Sequence, residues 1–210
     1  MDMKEIKNIY CVGRNYAAHA KELNNEVPTS PFLFSKPTHA LVEAKGQEIQ
    51  LPGNRGSIHF ETELVVRVGK PYEKGMGVDE AIDSMAIGLD LTLRDVQTEL
   101  KKKGHPWLLA KGFPDSAVVS EFIDFPGLEK VEKADFILMK NGEKVQQGNI
   151  KNMLFDLQTI LDFTAMNFGL GEGDIIFTGT PEGVGQVADG DQLSLIWDNK
   201  VLGECLIKLT

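Results

Sequence analysis

Residues 58–68, IHFETELVVRV, constrain the fold most, because their side chains alternate strictly between a mainly apolar set and a mainly polar set. Successive side chains of a β-strand point to opposite faces of a sheet. One face would carry Phe60, Thr62, Leu64, Val66 and Val68, and the other His59, Glu61, Glu63, Val65 and Arg67. The segment therefore predicts a strand with one core face.

Glu61 and Glu63 leave the polar face of this strand two residues apart. Their side chains start about 7 Å from each other, close enough for both carboxylates to converge on one ion. Two such anions repel each other unless a cation or solvent relieves the repulsion. A solvated strand face is the ordinary explanation of a Glu-x-Glu pair, so the pair alone leaves a surface and a metal site both open.

Residues 86–94, AIGLDLTLR, predict a second strand, with leucines on one side and polar residues on the other. Asp90 on the polar side could supply a third oxygen ligand, if the fold brings it beside Glu61 and Glu63. Three carboxylates with open coordination positions suit Mg²⁺ or Mn²⁺, and zinc is a poorer match. The alternative is a surface face with a local salt bridge, and the spacing does not choose between the two.

The rest of the chain predicts more short strands, a few helices and glycine-rich turns. Asn141-Gly142 predicts a type I′ hairpin, because both positions of that turn need a positive φ. Its strands would be 135–140 and 143–148; other strands are predicted at 8–12, 174–178, 192–197 and 201–209, helices at 14–23, 95–103 and 155–168, and a loop at 24–31. No repeat or linker divides the chain, so we expect one mainly β domain with a few helices (α+β class), residues 1–210.

The charge balance excludes several classes of protein. The 210 residues include 31 Asp or Glu and 22 Lys or Arg, for a formal net charge of −9. Nucleic-acid binding depends on cations that neutralise phosphates, so we expect no nucleic-acid partner and, for the same reason, no anionic membrane.

The two cysteines, Cys11 and Cys205, cannot build a Cys-rich zinc site or a disulfide scaffold. With no apolar stretch near the roughly 18 residues of a spanning helix, the sequence predicts a soluble cytoplasmic protein.

A predicted helical pair and a single lysine could also carry chemistry. His19 and Glu22 lie three residues apart in a predicted helix and share one face, where the carboxylate could orient the imidazole as a general base. Exposed His and Glu residues are also commonplace on helices. Lys111 is a lone cation in the apolar segment LLAKGF and would be costly to bury without an anionic partner, such as a substrate carboxylate. Its stem could instead pack while its ammonium reaches water.

Six segments, taken in order, resemble the fumarylacetoacetate hydrolase family, and specifically its short branch of acylpyruvases and oxaloacetate decarboxylases. The resemblance runs from about Ile9 to Leu209 and is carried by GRNYAAHAKEL (13–23), FLFSKP (32–37), HFETEL (59–64), GLDLTLRDVQ (88–97), KKKGHPWLLAKGF (101–113) and GDIIFTGTPEGVG (173–185). It implies a mixed β-sandwich roll that is usually dimeric. We therefore expect a homodimer.

The resemblance also implies roles for individual residues. Residues 14–30 correspond to a lid that carries the His19–Glu22 dyad, and Lys111 corresponds to the catalytic lysine of the family. The implied ligands of Mg²⁺ or Mn²⁺ are Glu61, Glu63 and Asp90. The implied substrate contacts are Arg14, Tyr16, Arg94, Gln97 and Thr180.

The implied reaction is cleavage of a C–C bond in a small 2-oxoacid. For 3-acylpyruvates, His19 and Glu22 would activate the attacking water. For oxaloacetate, loss of carbon dioxide would leave an enolate of pyruvate, and the cation would stabilise the negative charge of that enolate. Two alternatives remain open: isomerisation or tautomerisation of hydroxymuconate-type diacids or oxaloacetate at the same site, and a catalytically silent module that only binds a metal or an oxyanion.

Overall fold

The computed structural model describes residues 3–23 and 25–210; Asn24, the first residue of the predicted loop, lies outside them. The strands are β1 Ile9–Val12, β2 Leu33–Lys36, β3 Leu41–Glu43, β4 Lys45–Leu51, β5 Ile58–Phe60, β6 Thr62–Val68, β7 Ile82–Asp90, β8 Thr92–Leu93, β9 Ala117–Val119, β10 Ile123–Asp124, β11 Phe136–Lys140, β12 Glu143–Gly148, β13 Ile175–Phe177, β14 Gly185–Gln186, β15 Gln192–Trp197 and β16 Lys200–Leu209. The α-helices are α1 Ala17–Glu22, α2 Val78–Ala81, α3 Arg94–Lys103, α4 Leu108–Lys111, α5 Leu128–Glu132 and α6 Leu157–Phe168. Short 3₁₀ turns occur at Met3–Glu5, Thr38–Ala40 and Ile150–Asn152.

The largest sheet has the strand order β2-β1-β13-β6-β7-β9-β3, with β10 also paired to β7. Its central pair, β6 and β7, is antiparallel, and Glu63 lies opposite Gly88. Asp90, the last residue of β7, donates its backbone N–H to the carbonyl of Glu61 at 2.8 Å. The register therefore brings the three acidic residues of the predicted metal site to one end of this strand pair.

A second sheet, β12-β11-β15-β16-β4, packs against the first, and a small third sheet has the order β14-β5-β8. Leu64 and Ile87 of the large sheet share one buried core with Leu138 and Leu195 of the second. The opposite face of the large sheet is buried as well, in a second cluster that includes Ile9, Cys11, Val65, Ala86 and Phe177. The predicted mainly β fold with a few helices is confirmed, and its sheets contain both parallel and antiparallel pairs.

Two predicted strands are interrupted at the point where the acidic residues lie. The 58–68 segment divides at Glu61, so that β5 belongs to the small sheet and β6 to the large one. The 86–94 segment divides in the same way at Leu91, and Arg94 begins a helix. The prediction of a single core face for 58–68 is wrong, because Val65 on its other face is fully buried. Alternation reports the direction of side chains and not what covers each face.

The other predicted elements are confirmed with shifted ends. The first predicted helix is shorter, and the third begins after Asp156, whose Oδ1 accepts the Thr159 N–H at 2.8 Å as an N-cap. Asn141 and Gly142 have φ values of 53° and 83°, as a type I′ hairpin turn requires. Gly104 adopts a left-handed conformation that ends α3. Local sequence signals therefore located these elements correctly to within a few residues.

Candidate active site

Glu61, Glu63 and Asp90 form a compact cluster of buried carboxylates. One oxygen atom from each lies within 4.8 Å of the other two, and Glu61, the most accessible of the three, is only 6% exposed. Glu61 lies in the break between β5 and β6, Glu63 is on β6, and Asp90 ends β7. The ends of two paired strands thus supply all three groups, and the three carboxylates that the resemblance implied as a set lie together.

Three cations lie against these carboxylates. Lys111, the last residue of α4, donates from Nζ to Glu61 Oε2 at 2.6 Å and to Asp90 Oδ2 at 2.5 Å. Arg94, the first residue of α3, donates from Nη2 to Glu61 Oε1 at 2.5 Å. Lys36 Nζ lies 2.8 Å from Asp90 Oδ1. Each of these three cations contacts Glu61 or Asp90.

Lys36 is a site residue that reasoning from the sequence missed. It ends β2, is 3% exposed, and donates from Nζ to the carbonyls of Leu91 at 3.2 Å, Ser116 at 3.0 Å and Lys111. A buried ammonium requires such partners, because an isolated charge is costly to remove from water. The signal that identified Lys111, a single cation in an apolar segment, was also present at Lys36 in FLFSKP.

The local charges act in opposite directions on the two glutamates. Burial alone would raise the pKa of Glu61, but Lys111 and Arg94 hold that pKa well below its usual range. For Glu63, burial raises the pKa well above its usual range, and the nearby charges of Asp90 and Glu61 raise it further. An ionised Glu63 therefore needs more positive charge than the described side chains supply.

A divalent cation fits this donor set. Buried carboxylate oxygens are the ligands that Mg²⁺ and Mn²⁺ prefer, and the three side chains already converge. Asp90 Oδ1 has no hydrogen-bond partner among the described residues, although the Lys36 ammonium lies near it. A cation held by Glu61, Glu63 and Asp90 would satisfy this oxygen and would supply the positive charge that Glu63 lacks.

Helix α1 brings His19 and Glu22 to the same site. His19 Nδ1 lies 3.4 Å from Glu22 Oε2, and Glu22 Oε1 accepts the backbone N–H of Gly183 at 3.0 Å. Burial lowers the pKa of His19, and the charges of Glu61 and Glu22 oppose that effect without reversing it. The imidazole is therefore mainly neutral at pH 7, and Nε2 is the nitrogen left to accept a proton.

A cavity of about 160 Å³ is lined by His19 of the dyad and by the three carboxylates. Arg14 and Lys101 line it together with the acidic cluster. Burial lowers the pKa of Lys101, and the positive charges of Arg14 and Arg94 lower it further. Lys101 donates to the side-chain oxygen of Asn25 at 3.0 Å, which is not an anion. Two cations that repel each other therefore line the same cavity, and a negatively charged group of a ligand would be stabilised beside them.

The predicted substrate contacts are brought together except for one. Arg94, Gln97 and Thr180 line the cavity, and Arg94 donates to Gln97 Oε1 at 2.6 Å. Thr180 donates from its hydroxyl to the carbonyl of Thr62 at 2.9 Å. Tyr16 does not line this cavity: its side chain is buried beside α1, and its hydroxyl has no partner among the described residues. A motif match gave its position in the sequence but not the direction of its side chain.

Two buried amides, also missed from the sequence, hold the loops around the site. Asn15 donates to the carbonyls of Phe155 at 3.0 Å and Thr178 at 2.8 Å, and it accepts the Phe155 N–H at 2.8 Å. Gln146, on β12, accepts the backbone N–H of Thr62 at 2.9 Å. A single amide in a sequence gives no spacing signal, so only the structure could identify these residues.

Comparison with known proteins assigns the chain to a family. A family model described as fumarylacetoacetate (FAA) hydrolase C-terminal matches residues 8–205. The chain belongs to the fumarylacetoacetate hydrolase family. The match confirms the resemblance carried by the six sequence segments.

Relatives of this fumarylacetoacetate hydrolase family member carry out different reactions. An oxaloacetate tautomerase of Escherichia coli is 39% identical over 202 residues, which cover 94% of this chain and 91% of that protein. A mitochondrial oxaloacetate decarboxylase of Dictyostelium discoideum is 36% identical over 189 residues, covering 88% and 85%. The crystal structure of fumarylpyruvate hydrolase from Pseudomonas aeruginosa, in complex with Mn²⁺ and pyruvate, has a TM-score of 0.87 at 33% identity and covers 98% of this chain and 91% of that one. This family member is therefore an enzyme.

The comparisons do not select a compartment, because these relatives include a bacterial and a mitochondrial protein. Among the helices that the structure describes, none is both long and apolar enough to cross a membrane. The cytoplasmic location and the homodimer stay predictions from the sequence.

Proposed function

We propose that this enzyme interconverts the keto and enol forms of oxaloacetate with the help of Mg²⁺ or Mn²⁺. The observation that carries the proposal is the composition of the cavity. The cavity is lined by the acidic cluster, by a mainly neutral histidine, His19, and by two cations, Arg14 and Lys101, that lie close enough to repel each other. This arrangement suits a small molecule with a 2-oxoacid group at one end and a second carboxylate at the other.

The 2-oxoacid end would lie at the acidic cluster. When bound by Glu61, Glu63 and Asp90, a divalent cation supplies Lewis acidity to the keto oxygen and attraction for the neighbouring carboxylate. Lys111 and Arg94 hold the cluster in place through their contacts with Glu61. Lys111 commits two of its protons to Glu61 and Asp90, which leaves one for the oxygen at C2 of the substrate.

His19 would move the proton between carbon and oxygen. Its Nε2 takes a proton from C3, the electron pair of that C–H bond becomes the C2=C3 double bond, and the π pair of the C2=O bond moves onto the oxygen, which then receives the proton from Nε2. Glu22 holds Nδ1 and stabilises the imidazolium while the proton is in transit. The low pKa of His19 keeps the imidazole free to accept the proton at neutral pH.

The second carboxylate would lie against Arg14 and Lys101. Both side chains line the cavity, and the lowered pKa of Lys101 reflects burial first and then repulsion from Arg14 and Arg94. An anionic group placed between them relieves this repulsion. Oxaloacetate carries such a carboxylate, whereas acetylpyruvate ends in a neutral acetyl group. The pair Arg14 and Lys101 thus favours a diacid.

The direct test follows the ultraviolet absorbance of the enol as a solution of enol oxaloacetate relaxes, with and without Mg²⁺. We expect a Mg²⁺-dependent acceleration over buffer, and a loss of about 10²- to 10⁴-fold in rate for His19→Asn. His39→Asn changes an exposed histidine outside the cavity and should keep the wild-type rate. A rate equal to buffer at saturating Mg²⁺ would exclude tautomerisation.

Lys101→Met and Arg14→Met test the diacid preference. Each should raise KM for oxaloacetate at least 10-fold, and should change KM for acetylpyruvate, if that compound is turned over, much less. Lys102→Met is the matched control, because Lys102 pairs with Glu99 at 2.8 Å and does not line the cavity. Equal effects of Lys101→Met on both compounds would contradict the assignment of the second carboxylate.

Cleavage of a C–C bond, the reaction that the sequence favoured, is the second candidate. It is supported by the His19–Glu22 dyad, which could equally deprotonate a water, and by the similarity to fumarylpyruvate hydrolase. Pyruvate released from acetylpyruvate or from oxaloacetate, measured with a coupled dehydrogenase, separates the two candidates. Tautomerisation releases no pyruvate, whereas hydrolysis and decarboxylation both do.

A further inference from the structure

Gln146 joins the second sheet to the strand that carries the metal-ligand glutamates. It is 2% exposed, its Oε1 accepts the Thr62 N–H at 2.9 Å, and its Nε2 donates to Thr180 Oγ1 at 2.9 Å. Thr180 in turn donates to the Thr62 carbonyl at 2.9 Å. The three residues close a ring that uses both backbone groups of Thr62. That residue lies between Glu61 and Glu63, so the ring fixes the backbone that presents both carboxylates.

A β-bulge aims Gln146 at this ring. In the hairpin of β11 and β12, Met139 pairs with Lys144 but Leu138 pairs with Gln146, so that Val145 is the extra residue. A shift of one residue moves every following side chain to the other face of a strand. Bulges redirect side chains in this way and are common next to active sites. Without Val145 as an extra residue, the amide of Gln146 would point away from Thr62.

Gln146 also holds the glycine turn, which we define as residues 179–183. Its Nε2 lies 3.0 Å from the carbonyl of Pro181, near the middle of the turn. The far end of the turn rests on the bulge: Gly183 has φ = +93°, and a Cβ added there would lie 2.5 Å from the carbonyl of Val145. The turn is therefore positioned from one side by the amide and from the other by the bulge.

The two ends of the glycine turn reach two different functional carboxylates. The Gly179 N–H donates to Glu63 Oε2 at 2.7 Å, and the Gly183 N–H donates to Glu22 Oε1 at 3.0 Å. Glu63 belongs to the acidic cluster, and Glu22 belongs to α1, the helix of the lid that the family resemblance implies. The turn thus connects the acidic cluster to the lid through two backbone amides.

We propose that Gln146 is a positioning residue that couples closure of the lid helix to the metal-ligand carboxylates. With Gln146 in place, Gly179 orients Glu63 while Gly183 offers its N–H to Glu22. Binding of the cation and docking of the lid then favour the same position of the turn, so each favours the other. This inference rests on the metal-dependent function proposed above.

The coupling needs an amide and not merely a side chain of this size. Oε1 faces an N–H group, whereas Nε2 faces a hydroxyl and carbonyl oxygens. Gln146→Glu keeps the shape and the acceptor for Thr62 but replaces the donor by an oxygen that repels the Pro181 carbonyl. Gln146→Met keeps the length and removes both functions. Gln147, the next residue on the strand, is exposed and supplies matched controls, Gln147→Glu and Gln147→Met.

Two measurements on the full chain test the coupling without relying on activity. The first is the Kd for Mn²⁺, measured by the electron paramagnetic resonance signal of the free ion. The second is hydrogen exchange of the Ala20 and Leu23 amides of the lid, with and without saturating Mn²⁺. Changes in residues that orient metal ligands commonly weaken metal affinity about 10- to 100-fold. We expect a rise of that size in Kd for both Gln146 variants, and none for the Gln147 controls.

Saturating Mn²⁺ should slow exchange at Ala20 and Leu23 at least 10-fold in the wild type and in the Gln147 controls, but less than 3-fold in the Gln146 variants. A residue with a merely structural role would lower the melting temperature and leave this protection intact at saturation. Folded Gln146 variants with wild-type protection would overturn the proposal. If both variants fail to fold, Gln146→Asn, which keeps the amide on a shorter stem, replaces them. If Gln146→Asn also fails to fold, the wild type decides. Unchanged exchange of the lid amides on adding Mn²⁺ then overturns the coupling, and slower exchange supports it. A wild-type protein that binds no Mn²⁺ would instead refute the proposed metal-dependent function.

Discussion

Lys36 and Asp90 form an ion pair that is sealed from solvent, with Nζ 2.8 Å from Oδ1 and side-chain exposures of 0% and 1%. The same ammonium donates to the carbonyls of Leu91 and Ser116 at 3.2 Å and 3.0 Å. A single cation therefore holds an acidic-cluster residue and the backbone on either side of the site. Because every partner of Lys36 is buried, water cannot replace the Lys36 ammonium as their hydrogen-bond donor.

Lys36→Met should lower the free energy of unfolding by about 3–5 kcal/mol, the usual result of removing one partner of a buried ion pair. The loss arises because Asp90 would keep a buried charge with fewer partners. Urea unfolding in EDTA measures it. Lys70→Met is the matched control, since the exposed Lys70–Glu80 pair should contribute less than about 1 kcal/mol. A loss for Lys36→Met no larger than for Lys70→Met would contradict the role of Lys36.

Glu63→Gln should stabilise the metal-free protein, and more strongly as the pH rises above 4.5. Burial and the charges of Asp90 and Glu61 raise the pKa of Glu63, so the folded wild type binds more protons than the unfolded chain and loses stability with rising pH. Glutamine removes this dependence and can still accept the Gly179 N–H. Thermal unfolding between pH 5 and 8 in EDTA measures the difference.

Mg²⁺ should make the wild type more stable than Glu63→Gln, the reverse of the order expected without metal. At 100 times its Kd, Mg²⁺ should stabilise the wild type by about 2.7 kcal/mol and Glu63→Gln by much less, because the variant lacks one ligand charge. Glu129→Gln, at an 85% exposed position, should follow the wild type in both conditions. Equal stabilisation of the wild type and Glu63→Gln by Mg²⁺ would remove Glu63 from the proposed ligand set.

Catalysis should persist at a pH below the ordinary pKa of histidine. Burial lowers the pKa of His19, so the imidazole loses its ability to accept a proton only as the pH falls below about 6.5. In a plot of kcat/KM against pH, the midpoint of the fall on the acidic side, the acidic limb, should therefore lie below pH 6.5. Glu22→Gln removes an interaction that raises the pKa of His19, so it should shift the limb to still lower pH while reducing the rate. A limb above pH 6.5 would show that another group acts as the base.

The sequence and the resemblance together could predict which carboxylates cluster, but not the burial of the site. Glu61 and Glu63 followed from a period of two, and the assignment of Asp90 came from the resemblance. Neither source showed that the strand breaks at Glu61, since the break depends on pairing β5 and β6 with different sheets. Lys36 lies far from these residues in the chain and reaches them only through the β1–β2 pairing, which no local pattern encodes.

The fold was predictable where local chemistry decides the backbone. Asn141-Gly142 specifies its turn through positive φ angles, and Gly104 specifies the end of α3 in the same way. The bulge at Val145 was not predictable, because its cost is offset by hydrogen bonds that Gln146 makes with residues distant in the sequence. Long-range contacts of this kind decide the geometry of the site, so they are read only from the assembled structure.

Tyr16→Phe should leave stability unchanged or raise it by about 1–3 kcal/mol, the usual penalty of a buried polar group without a partner. The Tyr16 hydroxyl is buried, has no hydrogen-bond partner among the described residues and does not line the cavity. Thermal unfolding measures the stability of Tyr16→Phe, and KM for oxaloacetate measures whether the hydroxyl contributes to substrate binding. Tyr72→Phe is the control that should lose stability, because its hydroxyl donates to Asp162 at 2.9 Å. A rise in KM with unchanged stability for Tyr16→Phe would restore the substrate contact that the resemblance implied, and would require the lid helix to move when substrate binds.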